Sequence, residues 1–394
     1  TALCQQMMGN RQQAVAVIKE ALSDPTWPAN LRARLHIYLA IVLYLDADLS
    51  GSMTAAVECL RTTGNLSLVH TRTFADYFLG AAQYLQNQTE AAKSSLLKVV
   101  DDRQRANPSY VAYAGFILAY IYLEQGNEAA ADRLLDQIGA YGRDDNTTVL
   151  SIIQAFEAEF ALRRGDTQKA WHIAQRADFD VREPMWFLYT PQLTPIKCML
   201  DRGTHDSLRE ARSRLIQWEE RMRRINRKNI RIEILALLAL VCHKLKDETA
   251  ALQNLQTALD LAESGSWIRT FMDLGLPMMD LLNCLIQHQT GQTYAHHVLK
   301  ACQAEHSKKV SLGLDATTQP RISEPPPNTV LTRREIEILP LLAEGLSNQE
   351  IAARLRTAQV TVKTHLQNIY KKLHAKNRIE ALKISREIGI IIDK

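Results

Sequence analysis

Residues 359–373 read as a short helix carrying two chemistries. Val362, Leu366, Ile369, Tyr370 and Leu373 recur at i, i+4, i+7, i+8 and i+11, which makes one buried stripe. Away from that stripe stand Val360, Thr364, Gln367 and Lys371, with Lys363 at one edge and Asn368 at the other. Lysine donates to guanine acceptors or to phosphate, glutamine pairs with adenine, and a threonine methyl meets a thymine methyl. The polar face therefore has the chemistry of a major-groove reader. The plainer alternative is a solvated face on a small structural domain.

The surrounding elements would hold such a helix in place. Thr332 with Glu335 and Ser347 with Glu350 form capping boxes, and Asn377 with Glu380 repeats the arrangement with a weaker cap. Gly345 and Gly389 stand where helices should stop. These signals predict four helices, roughly over 333–343, 348–355, 359–373 and 378–388. The second and third are joined by a turn of about three residues, which is helix-turn-helix geometry. Charge divides in the same way. The chain from Asn328 to Lys394 holds 12 Lys+Arg against 7 Asp+Glu, while the remainder holds 35 against 36. A positive excess confined to one module is the footprint of a nucleic-acid partner.

At these residues the chain closely resembles the LuxR-type DNA-binding domain. The resemblance is carried by "LTRREIEIL", "LLAEGLSNQEIAARL", "TVKTHLQNIYKKL" and "NRIEAL", which cover nearly all of residues 330–385. It implies that the helix bearing T-V-K-x-H enters the major groove, with Lys363, Thr364 and Gln367 facing bases. Groups near Ser347 and Asn348, together with Thr361, Lys371 and Lys372, are then the expected phosphate contacts. The resemblance also implies dimerisation on paired half-sites through the last helix, about 378–388. Three departures stand out. Ala358 replaces the usual serine cap, with Thr357 one position earlier in place of an apolar residue. Pro340 falls within the first helix, where a kink is expected, and His374 replaces the usual glycine after K-L.

Upstream, helix-breaking turns recur at Gly9-Asn10, Ser50-Gly51, Asn87-Gln88, Gly126-Asn127, Gly165-Asp166, Gly203-Thr204 and near Asp247. A period of about 40 residues signals stacked helix pairs. Each unit pairs an apolar helix with a second one opening on small residues, as at Ala14, Ala91, Ala129, Ala170 and Ala250. Small side chains let antiparallel helices approach closely, the need behind tetratricopeptide-type (TPR-like) repeats. The competing architecture is an irregular helical bundle. Helices are expected to continue to about Cys302. The expected fold is thus all-α: a superhelix of helical pairs over 1–305, a Pro-containing linker over 306–327 ending in Pro325, Pro326 and Pro327, and a four-helix DNA-binding domain over 328–394.

The segment "ALDLAESGSWIRTFMDLGLPMMDLL" looks like the last helical segment of MalT-like regulators, the large LuxR-type ATPase activators. That resemblance implies a superhelix sensing a small-molecule inducer, and a preceding ATPase module. No G-x-x-x-x-G-K-[ST] occurs in this sequence, so ATP is expected only in a longer parent, and the start on Thr1 rather than Met suits a truncated chain. No cofactor or metal is expected here, and no enzyme signature such as H-E-x-x-H or G-x-S-x-G is found.

The expected partners are double-stranded DNA and an inducer, with RNA polymerase and a second copy on DNA as further candidates. The competing function is a protein–protein scaffold tethered to DNA. Apolar stretches such as Ile37 to Leu45 are too short for a bilayer, and the six scattered cysteines suit a reducing cytoplasm. Two tyrosine- or tryptophan-bearing clusters (Tyr110, Tyr113, Tyr120 and Tyr122; Trp186, Phe187 and Tyr189) read as core rather than as sugar platforms. The basic run Arg221 to Arg231 reads as a solvated helix face, and His296 with His297 as structural.

Overall fold

A computed structural model describes residues 10–64, 68–141, 147–176, 191–288, 291–311, 333–343 and 346–355, together with 362, 366, 369, 375 and 378–387. Among the described residues all regular structure is helical. The chain divides into two compact units, Thr1–Ala316 and Thr317–Lys394.

The first unit opens with α1 (Arg11–Ser23), α2 (Ala29–Leu45), α3 (Leu49–Thr63), α4 (Val69–Leu85) and α5 (Thr89–Asp101). It continues through α6 (Pro108–Glu124), α7 (Glu128–Tyr141), α8 (Thr147–Arg163), α9 (Thr167–Arg176), α10 (Thr194–Arg202), α11 (His205–Arg224), α12 (Lys228–Lys244) and α13 (Glu248–Glu263). One device repeats at the hinge within each pair. A residue in the left-handed region ends the first helix: Ala47, Asn87, Gly126, Gly165, Gly203 and Lys246, about 40 residues apart. A polar side chain then caps the second helix in most pairs. Asp48, Asn127, Asp166, Thr204 and Asp247 accept from the backbone N–H three residues on. The expected break at Ser50-Gly51 lies instead inside α3, because Ala47 adopts the left-handed conformation that a glycine was expected to supply.

The cap also sets which small residue packs. Ala14, Ser52, Ala92, Ala131, Ala170 and Ala251, each four residues after a cap, are buried at 4 % exposure or less. Ala14 and Ala170 match the sequence expectation. Ala91 and Ala129 are exposed and Ala250 half-buried, so the contact falls to the following alanine or the one after it. The reason is the helical period: only the fourth residue past the cap turns onto the partner helix.

After α13 the pairing stops. A strap, 264–275, carries the one-turn helix α14 (Arg269–Met272) and leads to α15 (Leu276–His288) and α16 (Thr293–Ser311). Helix therefore runs past Cys302 to Ser311. The strap ties the ends of the first helices of successive pairs. Trp267 Nε1 donates to the Ala47 carbonyl at 2.9 Å, and Gln86 Nε2 to the Gly265 carbonyl at 2.9 Å. Ile268 N–H donates to the Leu85 carbonyl at 2.9 Å, the Tyr84 hydroxyl to Asp273 at 2.9 Å, and Arg269 reaches Glu124 at the end of α6. A side chain at Gly265 would collide with the Ala47 carbonyl, 2.0 Å from an ideal Cβ.

The basic run is not simply a solvated face. Arg223 and Arg224 pair with Glu219 and Glu220 along α11, Arg227 is buried, and Arg231 holds Glu219 at 2.8 Å. Lys228 reaches Asp46 at 3.2 Å, and Arg11 meets the same carboxylate at 2.6 Å. At least four of the six cations are thus held by acidic partners, one of them, Lys228, across the fold. The tyrosine cluster is core as expected: Tyr110, Tyr113 and Tyr120 are buried, and Tyr122 is half-buried under Lys93. Trp186, Phe187 and Tyr189 lie outside the described residues. His296 and His297 are exposed on α16, His297 stacked beside Tyr294.

The second unit contains α17 (Arg333–Ala343), α18 (Asn348–Arg354), helical positions at 362, 366 and 369, and α19 (Arg378–Glu387). Its core gathers Ile338, Leu339, Leu342, Ile351, Ala352, Val362, Leu366, Ile369 and Ala381. Pro340 lies exposed within α17, which continues to Ala343.

Candidate functional site

In the second unit the Ser347/Glu350 capping box is formed. Ser347 N–H donates to Glu350 Oε2 at 2.7 Å, and Glu350 N–H donates to Ser347 Oγ at 3.3 Å. Hydrogen bonds from Ser347 hold the Glu350 carboxyl below its ordinary value. The box leaves exposed Ser347 and half-buried Asn348 at the N-terminus of α18. Thr361, Lys363, Thr364, Gln367, Lys371 and Lys372 lie outside the described residues, as do Thr357, Ala358 and His374. The expected stripe is described at three positions, and Val362, Leu366 and Ile369 are all buried.

One clamp in this unit escaped the sequence. Arg378, at the start of α19, donates to the carbonyls of Leu342 at 2.7 Å and Leu346 at 3.0 Å. The Leu342 carbonyl lies in the last turn of α17, where helix carbonyls lack an intrahelical partner and attract a cation, and Leu346 follows in the turn beyond it. The clamp joins the first helix to the last and brackets the approach to α18.

The first unit holds a second candidate, a cavity of about 630 Å³. Its walls come from α4, α6, α8, α10, α12, the strap and the start of α15. Tyr84, Ile117, Tyr120, Leu237 and Leu240 supply apolar surface, and two charged clusters interrupt it. In one, Arg163 bonds Asp273 at 2.9 Å and covers the Tyr120 ring at 3.8 Å, while Arg269, 2 % exposed, binds Glu124 and the Thr89 hydroxyl. Burial alone would raise the Asp273 carboxyl, but the two guanidiniums outweigh it and hold it down at about 2. In the other, Lys197 bridges Glu159 at 2.9 Å and Glu233 at 2.8 Å.

None of these charges was singled out in the sequence. The available signal was a carboxylate inside an apolar run, single in "AYIYLE" for Glu124 and "RIEILALLAL" for Glu233, and one of two, with Glu157, in "AFEAEFAL" for Glu159. Among the described residues no group of His, Cys, Asp and Glu is placed to hold a metal ion, and no helix is long and apolar enough to cross a membrane.

Comparison with known proteins covers both units. Residues 1–288 match the family described as "MalT-like TPR region", and residues 329–385 match "Bacterial regulatory proteins, luxR family". Among curated proteins, the HTH-type transcriptional regulator MalT of Vibrio campbellii is 25% identical over 315 residues, covering 75% of this chain and 34% of the relative. MalT of Vibrio parahaemolyticus is 24% identical over 312 residues, covering 75% and 34%. MalT of Serratia proteamaculans is 30% identical over 155 residues, covering 37% and 17%. The chain spans about a third of the length of the first two relatives. It belongs to the MalT-like TPR family and carries a luxR-family helix-turn-helix domain at its C-terminal end.

Proposed function

We propose that this chain is the sensing and DNA-reading part of a cytoplasmic transcription activator. Residues 328–394 read a DNA site, the segment 306–327 tethers them, and the helical repeats of 1–305 bind a small-molecule inducer in the cavity bordered by the strap. Lys363, Thr364 and Gln367 meet base edges, while Ser347, Asn348, Thr361, Lys371 and Lys372 meet phosphates. A second copy on paired half-sites and RNA polymerase are the partners that activation requires.

The observation that carries the DNA-reading half is the buried stripe Val362, Leu366 and Ile369 beside the formed Ser347/Glu350 box. The residues assigned to bases alternate with that stripe in sequence. For the sensing half it is the cavity, whose size falls in the range of small-molecule sites.

Selection from a randomised DNA library tests the reading. The chain should enrich one motif, and Gln367→Ala should relax preference at one position at a cost of roughly 1–3 kcal/mol on the preferred site. Lys371→Ala should weaken all sequences alike and flatten the salt dependence by about one unit of slope. An unchanged motif in the Gln367 variant removes its base-reading role, and failure to enrich any motif removes the proposal.

A further inference from the structure

In the second unit a single peptide group is held from both sides. The Leu346 carbonyl accepts from Arg378 Nη1 at 3.0 Å, and the Ser347 N–H of the same peptide donates to Glu350 Oε2 at 2.7 Å. A peptide group is planar, so fixing its oxygen and its hydrogen fixes its orientation. That plane sets the direction in which α18 leaves the turn. One peptide earlier, the Leu346 N–H returns to the Leu341 carbonyl at 3.4 Å. Glu350 belongs to α18 itself, whereas Arg378 arrives from α19. Its other nitrogen, Nη2, donates to the Leu342 carbonyl at 2.7 Å, so the guanidinium spans the last turn of α17 and the turn beyond it.

The placement of this arginine does nothing for its own helix. Arg378 is the first residue of α19, where a cation meets the like-signed end of the helix dipole. Its gain lies at the two carbonyls. A planar fork of donors holds them relative to one another, which a point-charge ammonium does less well. From α18 the placement passes inward. Ile351 and Ala352 share one apolar core with Val362, Leu366, Ile369 and Ala381 of α19. Val362, Leu366 and Ile369 are the described positions of the segment that carries the proposed base readers, and a close-packed core transmits a small shift.

We propose that Arg378 is a positioning residue for DNA binding. It fixes the angle of α18 from α19 and, through their shared core, the segment that reads bases, without itself touching base or phosphate. The inference rests on the DNA-reading role proposed above and adds the residue that holds the reading segment in register.

Arg378→Met in the full chain tests this, because it keeps an apolar stem and removes every donor. Binding is read by fluorescence anisotropy at about 10 °C, on the duplex that the unmutated chain enriches and on an unrelated duplex. Amide hydrogen exchange over 333–355 in the same samples gives the folded fraction of the unit. With at least about nine-tenths folded, a purely structural role weakens binding by no more than about 1.1-fold. Positioning should instead weaken the enriched duplex at least about tenfold and the unrelated one less than about threefold, with the salt slope unchanged. Arg378→Lys keeps the charge without the planar fork and should lose about threefold on the enriched duplex, which keeps the test decisive should the methionine variant fold poorly. A loss no larger than the unfolded fraction explains overturns the positioning role. So does an equal loss on both duplexes with the salt slope flattened by about one unit, the mark of a direct phosphate contact. Relaxed preference confined to one base pair overturns it as well, since that marks a direct base contact. Should the unmutated chain enrich no motif, the DNA-reading role itself falls and this inference with it.

Discussion

The two units solve the same problem, fixing helices against one another, with ties of different reach. In the repeat unit the decisive contacts join residues far apart: Trp267 with Ala47, Arg269 with Glu124, Lys228 with Asp46. In the DNA-reading unit they are short: Ser347 with Glu350, and Arg378 with the end of α17 only 36 residues before it. Long ties make the state of the repeats depend on one crossing segment, so a ligand beside that segment has leverage over many helices. Short ties make the small module self-sufficient. The difference teaches that the repeat unit and the helix-turn-helix unit were built with opposite kinds of cooperativity.

Breaking the longest tie should have the largest effect. Arg269→Met leaves Glu124 buried without its guanidinium, and removing one partner of such a pair typically costs about 3–5 kcal/mol. Urea unfolding followed by circular dichroism should show the loss in the repeat unit, with the C-terminal unit unmoved. A loss under about 1 kcal/mol would mean that the strap is not a structural tie.

In the other unit, Arg378→Ala removes two charge-assisted bonds and should cost about 1.5–3 kcal/mol of that module's stability. The repeat unit should be unaffected, and a shift shared by both units would contradict the separation drawn here. Ser347→Ala should cost about 1 kcal/mol by loss of the cap. It should also weaken binding to every DNA sequence alike, a pattern that gel-shift titrations on unrelated sites would reveal or refute.

The gentlest probe is acid. Because the Asp273 carboxyl is held at about 2, below its ordinary value, its contribution is complete above about pH 4 and lost as pH falls toward 2. Asp273→Asn should therefore lower repeat-unit stability near neutral pH and flatten the decline between those values. An unchanged acid profile would place the titrating group elsewhere.

Much of this molecule was legible as sequence because its signals are local. A left-handed hinge followed by a capping Asp, Asn or Thr needs only neighbouring residues, so the period of about 40 and the all-helical class followed from Gly126-Asn127, Gly165-Asp166 and Gly203-Thr204. The box at Ser347 and the stripe at Val362, Leu366 and Ile369 are local in the same sense. Local patterns failed by small offsets where tertiary contact chose the register, as when burial passed from Ala129 to Ala131.

What only the tertiary structure decided is the destination of the segment after α13, and with it the pairing of Arg163, Arg269, Glu124 and Asp273. A single charge in an apolar helix announces that it needs a partner, because burying it alone is too costly. It does not say which residue, 100 or 200 positions away, will arrive to meet it. That choice belongs to chain geometry, and here the chain brings the strap across the ends of the first helices and borders the cavity with it.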